Sequence, residues 1–192
     1  TTHSRGSGSD NPPPAGVSAA ASDSGAPDPT RSSSLVSEIG ADCEARNGTP
    51  RCTLGDIGRG DFYDVEVLDD CSSRGFFAGV IASKADLLSM LPVTGSEAGV
   101  NATVSSGQFL CVRATARAGQ QPAYFYVSPM RPDEIDACRN QETCKRFASR
   151  PVIAGTMRVT GECTVDNAGR TSAQCFRGWI NADAVEPFSN GL

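Results

Sequence analysis

Alternation of apolar and polar residues at period two runs through much of this chain, and that is the signature of half-buried strands. From Phe62 to Leu68, Tyr63, Val65 and Val67 share one side while Asp64 and Glu66 take the other. Gly75–Ala82 (GFFAGVIA) is a compact apolar run that predicts a neighbouring strand. Val100, Ala102 and Val104 alternate with Asn101 and Thr103 and predict another. Phe109–Ala116 (FLCVRATA) reads as a central strand, Arg117–Pro122 as a turn, and Ala123–Val127 (AYFYV) as the antiparallel return. In that return Phe125 must face away from Tyr124 and Tyr126, because successive strand residues point to opposite sides. Val152–Thr160, Glu162–Val165 and Ala173–Ile180 supply the last expected strands. Asp166-Asn167-Ala168-Gly169 marks the turn of a late hairpin running from Cys163 to Cys175.

Helical signals are few. Ser83-Lys84-Ala85-Asp86 has capping-box spacing, with Leu87, Leu88 and Leu91 after it, so a short helix ending before Pro92 is expected. Pro132-Asp133-Glu134 predicts a second, stopping near Cys138, with proline suited to the first turn and the acids to the positive end of the dipole. The expected fold is therefore mainly β with two short helices.

Composition changes the picture at the N-terminus. Residues 1–42 are dominated by Ser, Gly, Ala and Pro, with only Val17, Leu35, Val36 and Ile39 as large aliphatics. So little apolar surface cannot offset the entropy of ordering, and a disordered linker over 1–42 is expected, with a β-rich domain over 43–188. Tethers of this composition separate membrane anchors from folded domains, which raises a lipid anchor upstream of Thr1 as an expectation. Net charge is −3 for residues 1–42 and −2 for the rest. A near-neutral body without clustered Lys and Arg argues against nucleic acid as a partner. No apolar run approaches the ~20 residues of a membrane helix.

Cysteine is the strongest compositional signal. All eight, Cys43, Cys52, Cys71, Cys111, Cys138, Cys144, Cys163 and Cys175, follow the linker. Zinc sites favour closely spaced Cys pairs or nearby histidines. This chain has no Cys-x-x-Cys, and its one histidine is His3, so disulfides and no metal are expected. Disulfides imply an oxidising compartment, periplasmic or extracellular. Eight cysteines allow about 105 connectivities. The simplest pairs each cysteine with its sequence neighbour: 43–52, 71–111, 138–144 and 163–175.

Pro151-Val152-Ile153-Ala154-Gly155-Thr156-Met157 and Gly178-Trp179-Ile180-Asn181-Ala182 resemble the middle and end of bacterial SH3-like domains. Those domains often carry a Pro-Val-Ile-Gly-type strand and close with Gly-Trp-hydrophobic before a final strand. The resemblance implies a small closed or nearly closed barrel over about 108–188; Met157–Gly161 fits an OB-like barrel nearly as well.

Candidate chemistry is sparse. The part after the linker contains no histidine to serve a Ser or Cys nucleophile. Asp69-Asp70 and the Asp133, Glu134, Asp136 group are the only obvious carboxylates for hydrolytic work. Neither a phosphate-cradling loop nor a dinucleotide fingerprint occurs, so no cofactor is expected. Arg59-Gly60-Asp61 spells an adhesion tripeptide and Leu91-Pro92-Val93-Thr94-Gly95 a sorting pattern, but both fall where turns are expected. Asn47-Gly48-Thr49 and Asn101-Ala102-Thr103 match the glycosylation pattern, which acts only in a eukaryotic host. Tyr124, Tyr126, Phe176, Arg177 and Trp179 are the binding candidates, since Tyr, Trp and Arg are typical interface anchors. The expectation is a non-catalytic, exported domain that binds an envelope protein or peptidoglycan, an inhibitor or immunity role being one form of it. A carboxylate-based secreted hydrolase and a structural subunit of an envelope or secretion assembly are the alternatives.

Overall fold

A ten-residue strand and a nine-residue strand, Phe109–Ala118 (β7) and Gln121–Pro129 (β8), form the hairpin on which the architecture is built. Gly119, at φ 66°, lets the chain reverse within two residues, so both strands run further into the expected turn. The computed structural model of the chain describes residues 1, 35–46, 49–68, 75–155 and 176–189.

The other strands are β1 (Asp42–Arg46), β2 (Thr49–Leu54), β3 (Tyr63–Val67), β4 (Phe76–Val80), β5 (Lys84–Leu88), β6 (Val100–Ser105), β9 (Ile153–Ala154), β10 (Gly178–Asn181) and β11 (Val185–Ser189). All are paired antiparallel, in the order β1-β2-β3-β7-β8-β10-β5-β6-β9. The β4–β11 pair branches from the first half of β7, while β3 lies along its second half. Five strands thus run β11-β4-β7-β8-β10, and a 3₁₀ turn at Ala182–Ala184 joins β10 to β11. The described chain is mainly β, and no described helix is long and apolar enough to cross a membrane.

Strand β7 feeds both faces of the sheet because it carries a bulge at Arg113. Before the bulge Leu110 and Val112 join a core with Ala78, Val80, Leu87, Ala102, Val104, Phe125, Val127, Phe176 and Ile180. After it Ala114 and Ala116 turn to the opposite cluster, with Tyr126 and Trp179. The extra residue reverses which parity of side chains points to which side. Phe125 and the tyrosines face opposite ways, as alternation demands. A third cluster packs Phe77, Phe109, Ile135 and Phe147 around Cys138 and Cys144.

Several elements differ from what the sequence suggests. The segment expected to be a helix after Ser83 is strand β5. Its Asp86 accepts a hydrogen bond from the Thr103 hydroxyl at 2.6 Å across the sheet instead of capping a turn. Leu88 lies opposite both Val100 and Trp179, so β5 is paired on two sides. A helix this short is costly to nucleate, and pairing outweighs propensity. The expected helix from Pro132 becomes two 3₁₀ turns, Pro132–Glu134 and Asp136–Cys138. They are split at Ile135, which is extended and buried in the third cluster. Among the described residues the α-helices lie elsewhere: residues 35–39 are helical (α1), and α2 is Glu142–Lys145. Packing begins by Leu35, seven residues before composition places the end of the linker.

Two disulfides match the sequence-local pairing. Cys43–Cys52 links directly opposed residues of β1 and β2, and Cys138–Cys144 ties the 3₁₀ turn Asp136–Cys138 to α2. Cys111 is also disulfide-bonded, and no described cysteine is free. Cys71, Cys163 and Cys175 lie outside the described residues, as do the Asp166–Gly169 turn, the Glu162–Val165 strand and most of the expected hairpin.

Candidate functional site

Strand β8 and the chain entering and forming β10 bring four of the five candidate residues, Tyr124, Tyr126, Arg177 and Trp179, to one face. Trp179 stands opposite Tyr126 in register, and their rings meet edge-on at 5.2 Å. Arg177 enters β10 two residues earlier. Helix α1 sits over this face with Leu35 and Ile39 buried in the same cluster as Tyr126 and Trp179. Between them Glu38 turns its carboxylate back to the sheet. The Tyr126 hydroxyl donates to Oε1 at 2.6 Å, and Arg177 Nη1 donates to Oε2 at 3.1 Å. Arg177 is itself fixed through its carbonyl, which accepts from Asn101 Nδ2 at 2.7 Å. Tyr124 lies further along the face, half-buried, with its ring edge-on to Tyr63 at 6.0 Å. Phe176 is on the opposite face, buried in the main core. Trp179 is fully buried and so serves packing rather than solvent-facing contact.

Two donors at this face have no described partner: Arg113 Nε, on the bulge beside the Ala114–Tyr126 pair, and Trp179 Nε1. Unpaired buried donors cost roughly 1–3 kcal/mol each, and the two among the described residues both lie beside Tyr126.

Burial, then the bond to Glu38 and its negative charge, push the Tyr126 phenol well above the ordinary tyrosine range; Arg177 and Arg113 oppose this and are outweighed. A raised folded-state value means that this phenol's contribution to stability is complete below the unfolded value of about 10 and is lost as pH climbs above it. Denaturant unfolding followed across pH 9–12 should show stability declining above about 10, where the unfolded chain releases the Tyr126 proton and the folded chain keeps it. A flat profile, or Tyr126 titrating normally by ultraviolet absorbance, would contradict the buried Tyr126–Glu38 contact.

Helix α1 is held by little. Burying Leu35 and Ile39 contributes about 1.5–3 kcal/mol each, and the two bonds to Glu38 about 1–3 kcal/mol together. Ordering the five described residues, 35–39, costs about 1–2 kcal/mol each. For these described residues the balance is close to zero.

The remaining motifs are structurally committed. Asp61 Oδ1 accepts from the Asp56 amide at 3.1 Å, and Oδ2 accepts from the Thr94 amide. The Thr94 contacts come first among the causes that hold the Asp61 carboxyl below its usual range. Arg59 Nη1 donates to the Thr94 carbonyl at 3.4 Å. The Arg-Gly-Asp and Leu-Pro-Val-Thr-Gly stretches thus clasp each other as turns. Asp133 and Glu134 pair with Arg131, and Asp136 with Arg139. Asp69 and Asp70 lie outside the described residues, as does Asn47. Among the described residues no group of His, Cys, Asp or Glu is arranged to hold a metal ion.

Glu38, Arg113 and Tyr63 belong to this face and were not singled out by the sequence. For Glu38 a signal existed: Leu35 and Ile39 are spaced i, i+4, one helical face, inside an otherwise polar stretch. Compared with protein-family models, curated proteins and solved structures, the chain has no significant match in any of the three.

Proposed function

We propose that the protein is a non-catalytic, exported binding domain that recognises a protein or peptidoglycan of the bacterial cell envelope, in the manner of an inhibitor or immunity protein. The carrying observation is the face of β3, β8 and β10, where the half-buried Tyr63–Tyr124 pair continues into Tyr126 and Arg177. Tyrosine and arginine beside an apolar floor are the usual anchors of protein recognition. The disulfides suit an oxidising compartment. The Ser/Gly/Ala/Pro-rich stretch before Leu35 suits a tether, and the reading extends to a lipid anchor upstream of it.

The SH3-like reading is part of this proposal. Strand β10 carries Gly178-Trp179-Ile180 and a final strand follows, the order that the resemblance implies. Because β11 pairs with β4, such a unit would begin by Phe76 rather than near 108.

The test couples a pull-down from envelope extract with sedimentation on purified murein. Wild-type protein is expected to be captured in one arm, and Tyr124→Ala to weaken capture about tenfold or more, the size of an interface anchor. Capture in neither arm, or capture indifferent to Tyr63→Ala and Tyr124→Ala alike, would contradict the proposal.

A further inference from the structure

The site that α1 covers has more binding capacity than α1 uses. Tyr126, Arg177 and Arg113 gather on one side of the sheet, and the single carboxylate of Glu38 engages only the first two. Arg113 Nε and Trp179 Nε1, on either side of Tyr126, remain without described partners. Beside these donors lies an apolar floor of Leu91, Ala114, Ala116 and Trp179 that receives Leu35 and Ile39. The seat therefore takes a helical turn with apolar residues at positions one and five and an acid at four, and it has donors left for a second acid.

We propose that this seat is a docking site for an acidic amphipathic helical segment of a partner protein, and that residues 35–41 occupy it in cis. The proposal rests on the binding-domain reading above and names the partner's chemistry. Arg113 lies near enough to Tyr126 to act on its charge, and with Arg177 it favours a ligand that brings more negative charge than Glu38 alone. Displacement needs no rearrangement of the sheet: α1 ends at Gly40, whose φ of 67° makes it a natural pivot, and the next residues enter the stapled β1–β2 hairpin. A segment whose described residues have almost no net hold on their seat opens locally rather than with the whole fold. Because the cis segment competes at high effective concentration, the site stays closed to weak ligands and opens to a better one.

The experiment uses the full chain. In native-state hydrogen exchange, the amides of Gly40 and Ala41, bonded to the Ser37 and Val36 carbonyls, should be at least about 100-fold less protected than those of the β7–β8 hairpin. Equal protection would overturn the proposal, because α1 would then be inseparable from the core. The second arm adds a synthetic peptide of residues 31–42 to the Leu35→Ser/Ile39→Ser chain. Binding should shift the Trp179 indole N–H resonance, and a Glu38→Gln peptide should bind about tenfold more weakly. Wild-type chain should need at least about tenfold more peptide, since its own segment competes. No indole shift at millimolar peptide, a dimer exchanging α1 between copies in wild-type protein, or failure of the double variant to fold would each overturn the proposal. Envelope capture that persists in the presence of saturating peptide would remove this site while leaving the broader binding function intact.

Discussion

Trp179→Ala should cost about 3–5 kcal/mol of folding stability, a large part of the 5–15 kcal/mol that domains typically have. The indole is fully buried, wedged in register between Tyr126 of β8 and Leu88 of β5. Removing it opens a cavity between strands that belong to both halves of the sheet, and neither neighbour can fill it, each being fixed by cross-strand pairing. Urea unfolding should show the midpoint falling by roughly 1–3 M with little change in slope. Trp179→Phe is expected to cost far less, since it keeps most of the area and deletes an indole N–H that has no described partner. Similar losses for both substitutions would mean that the indole nitrogen is bonded after all, and that the donor surplus at this face is smaller than described.

Gly79→Ala should be strongly damaging for the addition of a single methyl group. A Cβ at this position would lie 2.0 Å from Cε1 of Phe147, well inside contact distance. Phe147 has little freedom to yield: its ring stacks on Phe188 at 5.6 Å and 9°, and Phe188 is paired across β11–β4 with Phe77. Overpacking of this kind costs about 1–3 kcal/mol, at the upper end where the neighbour is held by a second ring. Phe147→Leu, mildly destabilising alone, should recover much of the loss when combined with Gly79→Ala. A double-mutant cycle therefore yields a coupling of about 1 kcal/mol or more, whereas additive losses would contradict the contact.

The parts legible in the sequence are those where local pattern and tertiary pairing agree. β3, β4, β6 and the β7–β8 hairpin alternate or run apolar over their whole length, and each lies within a residue or two of its expected place. β5 was misread because Ser83–Asp86 carries a helix-start pattern while its fate is decided by β6 and β10, which are distant in sequence. α1 was hidden for a different reason. Averaged over residues 1–42, Ser, Gly, Ala and Pro swamp the two aliphatics that matter, and only their i, i+4 spacing distinguishes them. The site was half legible. Tyr126 and Arg177 stand out by residue type, yet the carboxylate joining them comes from Glu38, 139 residues from Arg177 along the chain. Trp179 and Phe176 show the limit of residue type as a guide, because depth in a core is set by which strands lie on either side.

One proposal underlies the functional reading: the cysteines serve as structural cross-links. Peptide mapping of native protein under non-reducing conditions tests it directly. The account predicts linked peptides for Cys43–Cys52 and Cys138–Cys144, Cys111 likewise recovered in a disulfide, and no thiol open to alkylation. A reactive thiol among the eight cysteines, or zinc retained in stoichiometric amount and released by thiol modification, would contradict it.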